Sequence, residues 1–304
     1  MKPLIKKLLI SFGGLLGLAA LGLGGYVFAQ VSAFDASLSK IYSIPVPQVH
    51  ASNSPEAIAR GDHLAHSLGG CTVSECHGPS LGGGKEISAG PVGTIGAPNI
   101  TSGGLGAVYS DGELMRLIEH GVRKDGKTVR FMSSHEINWL PQDDILAIIA
   151  YVRSVAAVEG PGASLSIGLL GKVLDRRDQF ALDIARRIDH EHIQKAPAPA
   201  PTKEYGRYIA KLCMGCHGET YSGGPIPGAP PDMPIPANIT PHGTGLKGWT
   251  YEAFERLADQ GLRNDGQKVD PFMPIEVLAH MNETERKALY AYLVTLEPKP
   301  FGNR

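Results

Sequence analysis

Two short stretches combine cysteines with a histidine, and together they hold all four cysteines of the chain. "CTVSECH" starts at Cys71 and ends at His77, and "CMGCH" starts at Cys213 and ends at His217. The second stretch has the order cysteine, two residues, cysteine, histidine, which is typical of covalent c-type haem attachment. There each thiol adds to a porphyrin vinyl group, and the imidazole binds iron. The first stretch has four residues between its cysteines, so its chemistry has to be decided by other observations.

The short distance in sequence between the two cysteines of each stretch helps to distinguish haem attachment from disulfide bonds and from zinc binding. A disulfide framework would place its cysteines in distant segments, whereas Cys71 lies close to Cys76 and Cys213 close to Cys216. Zinc stays an alternative, because two thiolates and an imidazole are zinc ligands. However, adjacent cysteine and histidine side chains reach one tetrahedral ion only awkwardly. Haem is therefore the favoured interpretation at the second stretch.

An internal repeat relates the two stretches. The segment Ala97–Met132 aligns with Pro236–Met273, and His77 and His217 keep the same register with these segments. The matched positions are Asn99 with Asn238, Thr101 with Thr240, Gly121 with Gly261, Arg123 with Arg263, and Asp125 with Asp265. A fixed internal period indicates a duplicated structural unit. The sequence therefore predicts two covalently bound haems c, with the two extra residues of the first loop forming a bulge.

The repeat also selects candidates for the second axial ligand of each iron. Met132 and Met273 occupy equivalent positions, in "RFM" and "PFM". A thioether is a soft ligand that favours ferrous iron and raises the reduction potential. Methionine more often fills gaps in a core, but the repeat gives no counterpart to Met115, Met214, Met233 or Met281. The predicted iron ligands are thus His77 with Met132 and His217 with Met273; His63 and His66 are less favoured distal ligands.

Helix signals recur in both halves. Ser54 followed by Pro55, and Thr202, are predicted N-caps of the helix before each cysteine stretch. The other predicted helices follow Ser110, with Glu113 in a capping box, and Thr250, and cover Pro141–Val155 and Asn282–Leu296. No convincing strand with alternating polarity is found, so an all-α fold is expected. Between the halves, "FALDIARRIDH" is amphipathic and "APAPAP" predicts an extended spacer.

The N-terminus predicts export or anchoring. Lys2, Lys6 and Lys7 precede an uncharged apolar run, Leu8–Phe28, that is long enough to span a bilayer. "VSA" at Val31–Ala33 offers a cleavage site, but an uncleaved anchor is favoured. The positive-inside rule then places the remaining chain outside the cytoplasm. We expect an inner-membrane anchored protein facing the periplasm, or a secreted periplasmic protein if the segment is cleaved.

The composition excludes other classes of function. The 304 residues have room for two domains, and the net charge is −1 without a polybasic run, so no nucleic-acid partner is expected. A nucleophile–base set and a carboxylate dyad are not evident either. The sequence therefore predicts no catalytic residues and no independent enzyme.

These residues resemble the class I cytochrome c fold, used twice, over Ser54–Val155 and Thr202–Leu296. In that family a glycine on the first helix crosses an aromatic residue on the last, as Gly61 with Tyr151 and Gly206 with Tyr292 would here. "NITP", "WTYEAFERLADQGLRNDG" and "FMP" are similar to the cytochrome c subunits of membrane-bound alcohol, aldehyde and gluconate dehydrogenases. Those subunits generally carry three haems, whereas this chain has sites for two.

The resemblance implies a domain order and a function. We expect a signal or anchor at 1–33, an extended lead-in at 34–53, cytochrome c domains at 54–157 and 202–304, and a linker at 158–201. The implied function is electron transfer from a dehydrogenase to a respiratory acceptor such as a soluble cytochrome, a quinone or an oxidase. The alternative is a dihaem peroxidase, which needs one iron with a free distal site. A haem sensor or haem-delivery module fits less well.

Overall fold

The computed structural model describes residues 3–160, 162–227, 229 and 232–304, with side chains from residue 10 onward. Helices dominate it. They are α1 Pro3–Leu38, α2 Pro55–His66, α3 Asp111–His120, α4 Ser134–Ile137, α5 Gln142–Ser154, α6 Leu169–Arg176, α7 Lys203–Ile209, α8 Met214–His217, α9 Tyr251–Gln260, α10 Ile275–His280 and α11 Glu283–Leu293. Short 3-10 helices lie at Gly90–Val92, Leu105–Ala107, Ala185–Arg187 and Ala210–Cys213.

Five of the six predicted helix starts, all except the one at Pro141, carry a side-chain cap. The Ser54 hydroxyl accepts a hydrogen bond from the Ala57 amide at 3.2 Å. Both Ser110 with Glu113 and Asn282 with Glu285 form complete capping boxes. Each such cap satisfies amide donors that the first helical turn leaves free, and removing one costs about 1 kcal/mol.

The first and last helices of each half cross at a glycine. In the first half, α2 packs on α5, and an ideal Cβ on Gly61 would lie 1.8 Å from the Ala147 carbonyl oxygen. In the second half, α7 packs on α11, and a Cβ on Gly206 would lie 1.9 Å from the Ala288 oxygen. The two backbones are close enough to exclude any side chain at these points, and this fixes the helix pair that frames each cysteine stretch.

The duplicated Asn-Ile-Thr triplets form identical buried turns. The Asn99 side-chain oxygen accepts from the Thr101 amide at 2.9 Å and from its hydroxyl at 2.7 Å. Asn238 and Thr240 repeat both bonds, at 2.9 and 2.8 Å. The Asn99 amide nitrogen also donates to the Val158 carbonyl at 2.7 Å. Because these side chains are buried and hydrogen-bonded within the turn, the triplets have a structural role.

The expected absence of strands is wrong for the first half. An antiparallel sheet has the strand order β1 (Ile87–Ser88), β2 (Gly93–Gly96) and β3 (Ser164–Ile167). Strands of two to four residues are too short to show a period of two. Part of the expected linker, 158–201, therefore packs on the first half as β3 and α6. The stretch predicted to be amphipathic forms only the 3-10 turn Ala185–Arg187.

The N-terminal helix is long and apolar. Its part Ile10–Leu38 is long and apolar enough to cross a membrane. Every side chain from 10 to 26 is exposed, whereas Phe34 is fully buried. The C-terminal end of α1 therefore packs on the rest of the protein.

The two halves share one apolar core. The rings of Trp139 and Tyr208 lie 6.3 Å apart across the contact. His63 Nε2 lies 3.0 Å from both carboxylate oxygens of Glu285, which is almost fully buried. The rings of His66 and His280 lie 4.9 Å apart. Since Glu285 engages the imidazole of His63, the structure does not favour that histidine as an iron ligand.

Candidate haem-attachment sites

The second cysteine stretch is helical. The 3-10 helix Ala210–Cys213 continues into α8, which carries Cys216 and ends at His217. His217 Nδ1 donates to the Ala237 carbonyl oxygen at 2.7 Å. This bond fixes the tautomer and leaves the Nε2 lone pair free to bind a metal.

The first cysteine stretch is a series of turns that ends in the same histidine geometry. The Cys76 amide donates to the Val73 carbonyl at 2.8 Å, and the His77 amide donates to the Cys71 carbonyl at 3.0 Å. His77 Nδ1 donates to the Pro98 carbonyl oxygen at 2.8 Å. The first loop is thus closed by a backbone hydrogen bond between its two ends, and its histidine makes the same kind of side-chain hydrogen bond as the histidine of the second loop.

The backbone after each histidine repeats bond by bond. The Gly83 amide donates to the His77 carbonyl at 3.0 Å, and the Gly223 amide donates to the His217 carbonyl at 2.9 Å. Three more amide-to-carbonyl hydrogen bonds have a counterpart in the other half. In the first half they run from Leu81 to Gly78, from Gly84 to Ala97 and from Ile100 to Leu81; in the second half they run from Tyr221 to Gly218, from Gly224 to Pro236 and from Ile239 to Tyr221. Two segments with different sequences reach one hydrogen-bond pattern, so both histidines are held by equivalent scaffolds.

The electrostatics of the thiols do not favour redox or nucleophilic cysteine chemistry. Burial raises the pKa of Cys71 and of Cys213 to about 12. Burial also raises the pKa of Cys76 to about 11 and the pKa of Cys216 above its usual value. Reactive cysteines have a lowered pKa. All four thiols are unpaired, so each is available to form a thioether bond.

The donor arrangement also bears on the zinc alternative. Within the part of the chain that the structure describes, no three side chains of His, Cys, Asp or Glu converge as an ion would require. Two thiols beside an imidazole with an anchored Nδ1 instead suit a large planar group attached at two points. The residues present therefore fit haem c.

The two candidate methionines sit in equivalent turns. The Met132 carbonyl accepts from the Ser134 amide at 2.8 Å, and the Met273 carbonyl accepts from the Ile275 amide at 2.7 Å. Both side chains are half-buried and pack against the shared core. Their role as iron ligands stays a prediction. Arg123 forms an ion pair with Asp125.

Sequence analysis missed Glu136, which lies between the two cysteine stretches. An ideal Cβ on Gly215 would be 2.9 Å from Glu136 Oε1. Burial raises the pKa of this carboxyl group to about 7. Burial is the main reason that the pKa of Cys216 is raised, and the Glu136 charge adds to it. Burial is also the main reason that the pKa of Cys76 is raised; the charges of Glu75 and then Glu136 add to it, and the Cys216 thiol adds least. Because Glu136 reaches this place through the packing of the halves, the repeat gave no signal for it.

The neighbouring His135 leads to a prediction about pH. Burial, then the Arg187 charge, lowers its pKa to about 4, and its buried Nδ1 has no hydrogen-bond partner among the described residues. The neutral imidazole therefore stabilises the fold fully above pH ~6.5, and this stability is lost as the pH falls towards 4. The free energy of unfolding of the wild type should therefore fall between pH 7 and pH 4. We expect the His135→Gln variant to lose about 2 kcal/mol less over this range.

Denaturant titrations of the haem-loaded protein between pH 7 and pH 4 measure this effect. His192→Gln is the matched control, because the His192 side chain is 77% exposed. If the His135 variant lost stability with falling pH as steeply as wild type does, the buried neutral histidine would not be the cause.

Comparisons with known proteins agree with this geometry. Residues 204–297 match the sequence model of the family described as Cytochrome c. Similar proteins include the cytochrome c subunit of the quinone alcohol dehydrogenase of Gluconacetobacter polyoxogenes, 32% identical over 108 residues, which are 33% of this chain and 23% of the relative. The fructose dehydrogenase cytochrome subunit of Gluconobacter japonicus is 34% identical over 113 residues, 34% of this chain and 23% of the relative. The gluconate 2-dehydrogenase cytochrome c subunit of Pantoea cypripedii is 34% identical over 97 residues, 29% and 22% of the two chains.

The chain thus carries a cytochrome c domain at residues 204–297, in a helical protein with an apolar N-terminal helix. This domain is similar to the cytochrome subunits of dehydrogenases that act on alcohol, fructose and gluconate. Each match spans less than a quarter of the relative's own length.

Proposed function

We propose that the chain is a dihaem c-type cytochrome that transfers electrons and catalyses no reaction alone. The observation that carries this proposal is the repeated scaffold: in each half a histidine beside two cysteines donates its Nδ1 proton to a backbone carbonyl at 2.8 or 2.7 Å. Each bound haem supplies a one-electron ferric–ferrous couple. The first half is then a second cytochrome c domain.

The residues have distinct roles in this proposal. Cys71 and Cys76 hold the first haem through thioether bonds, and Cys213 and Cys216 hold the second. The iron ligands are His77 with Met132 and His217 with Met273. The backbone carbonyls that accept from the two histidines orient the rings and raise the basicity of Nε2.

The contact between the halves supports electron exchange within one molecule. Glu136 of the first half lies against Gly215 in the second attachment loop, and Cys216 is near enough to influence the pKa of Cys76. Both attachment loops therefore border one interface. An electron that enters at one half reaches the other without a second collision between proteins.

The N-terminal helix supports a membrane-anchored protein on the periplasmic side. The helix continues without a break through Val31–Ala33, and buried Phe34 packs directly after this alternative cleavage site. Similarity to dehydrogenase cytochrome subunits supports a dehydrogenase as electron donor. The acceptor is a soluble cytochrome, a quinone or an oxidase.

Carbon monoxide and peroxide separate a carrier from a dihaem peroxidase. A carrier with both axial positions filled gives neither ligand easy access to iron. We expect the reduced protein to bind no stoichiometric carbon monoxide, and the half-reduced protein to consume little peroxide while exchanging electrons rapidly with small donors. Stoichiometric binding together with rapid peroxide consumption would overturn the carrier function.

A further inference from the structure

One face of the end of α1 is covered by the segment that follows the first half. The half-buried residues Val27, Gln30 and Val31 and the buried Phe34 recur at helical spacing. Helix α6 packs on α1, and Lys172 Nζ lies 6.0 Å from the centre of the Phe34 ring. Lys172 of α6 donates to both oxygens of the Asp35 carboxylate, at 2.7 and 2.9 Å. Helix α6 is therefore held beside the C-terminal end of α1, just after the exposed apolar part of that helix.

The direction of α6 follows from contacts at its C-terminal end. Asp175 binds Arg186 at 3.4 Å, and the nearby Asp183 pairs with Arg130 in an isolated bridge. Arg130 and Leu38 line one cavity at the end of α1. The C-terminal end of α6 thus lies near Leu38, and its N-terminal end points back towards the exposed apolar part of α1.

That N-terminal end presents an exposed apolar surface. Leu169 is 64% exposed and Leu170 is 41% exposed. The 3-10 helix Gly90–Val92 lies beside them, because the Gly168 amide donates to the Val92 carbonyl at 2.9 Å, and Pro91 is exposed as well. We call the exposed residues Gly90–Pro91 together with Leu169–Leu170 the apolar tip.

The sequence around the apolar tip carries no charge. Residues 87–110 contain no Asp, Glu, Lys, Arg or His, and neither do residues 160–171. The neighbouring charge of Lys172 is neutralised by Asp35. A surface of this kind enters the bilayer interface without desolvating an ionised group, whereas exposed charges would oppose entry.

We infer that the apolar tip rests in the interface of the lipid bilayer that α1 crosses. This inference depends on the membrane anchor of the proposed function. Lipid is favoured over a protein partner because the tip points towards the exposed apolar part of α1, and because the segments that form it carry no charged residue. Two contacts, α1 and the apolar tip, would then hold the first half in one orientation, whereas α1 alone would leave its tilt relative to the bilayer unfixed.

Photo-cross-linking in the full haem-loaded chain tests this contact. Benzoylphenylalanine is placed in turn at Leu169, at Leu170, at Leu18 in the middle of α1, and at Ile235. Leu18 and Ile235 are 68% and 58% exposed, and Ile235, in the second half, is the matched apolar control. The variants are irradiated in phosphatidylethanolamine–phosphatidylglycerol vesicles and in membranes of the producing cells, and adducts are identified by mass spectrometry.

We expect lipid adducts at positions 18, 169 and 170, and many fold less at 235. Adducts at position 18 with none above the control at 169 and 170 would overturn the inference and leave the anchor intact. The absence of adducts at position 18 would overturn both. A protein adduct at 169 in place of lipid would also contradict the lipid contact. None of these results depends on electron transfer, which is tested separately.

Discussion

Replacing Met273 by histidine is expected to keep the second haem iron low-spin while lowering its reduction potential by on the order of 0.1 V or more. Imidazole favours ferric iron more than a thioether does, and axial ligands together tune haem potentials over roughly 0.8 V. Met132→His should shift the first haem in the same direction. Each change should leave the potential of the other haem largely in place, because each methionine lies in its own turn.

Spectroelectrochemical titration of the two variants measures these shifts. Met281→Leu is the matched control, since Met281 is buried in the shared core and has no counterpart in the repeat. Its potentials should equal those of the wild type. If Met273→His left both potentials unchanged, Met273 would be a core residue and not an iron ligand.

Gly61→Ala and Gly206→Ala are each expected to lower the free energy of unfolding by about 3 kcal/mol or more. A Cβ at these positions would lie 1.8 or 1.9 Å from a backbone carbonyl oxygen. The main chain of α5 or α11 cannot relieve that overlap by a rotamer change, so the helices must separate. Since each helix pair frames one attachment loop, the yield of covalently bound haem in that half should fall as well.

Denaturant titration together with the haem content of each half measures this effect. Gly243→Ala is the control, because its Cβ would have no neighbour within 4 Å and its backbone needs no special conformation. It should unfold as the wild type does. A Gly206→Ala protein of wild-type stability would show that the close crossing of α7 and α11 does not support the fold.

The helices and their caps follow from local sequence, which is why Ser110 with Glu113 and Asn282 with Glu285 were predicted correctly. The three strands were not, because pairing between residues far apart in sequence forms β2 with β3. Helix α6 was also missed, since its eight residues owe their order to packing on α1 rather than to strong local signals.

Cys213, Cys216 and His217 were recognisable because their spacing is typical of covalent haem attachment. Cys71, Cys76 and His77 were recognisable through the internal repeat. The position of Glu136 was not, because it depends on how the halves pack. The same holds for the contact of His63 with Glu285, which joins residues of opposite halves. Motifs formed by neighbouring residues could be predicted from the sequence, whereas contacts between residues of opposite halves could not.

The mass of the denatured protein distinguishes two attached haems from one. Covalent haem survives denaturation, so we expect two haem additions per chain. After proteolysis, one should be on the peptide with Cys71 and Cys76 and the other on the peptide with Cys213 and Cys216. The family match covers residues 204–297 only, which makes the first peptide the stringent one. A single addition, confined to the second peptide, would contradict the dihaem account.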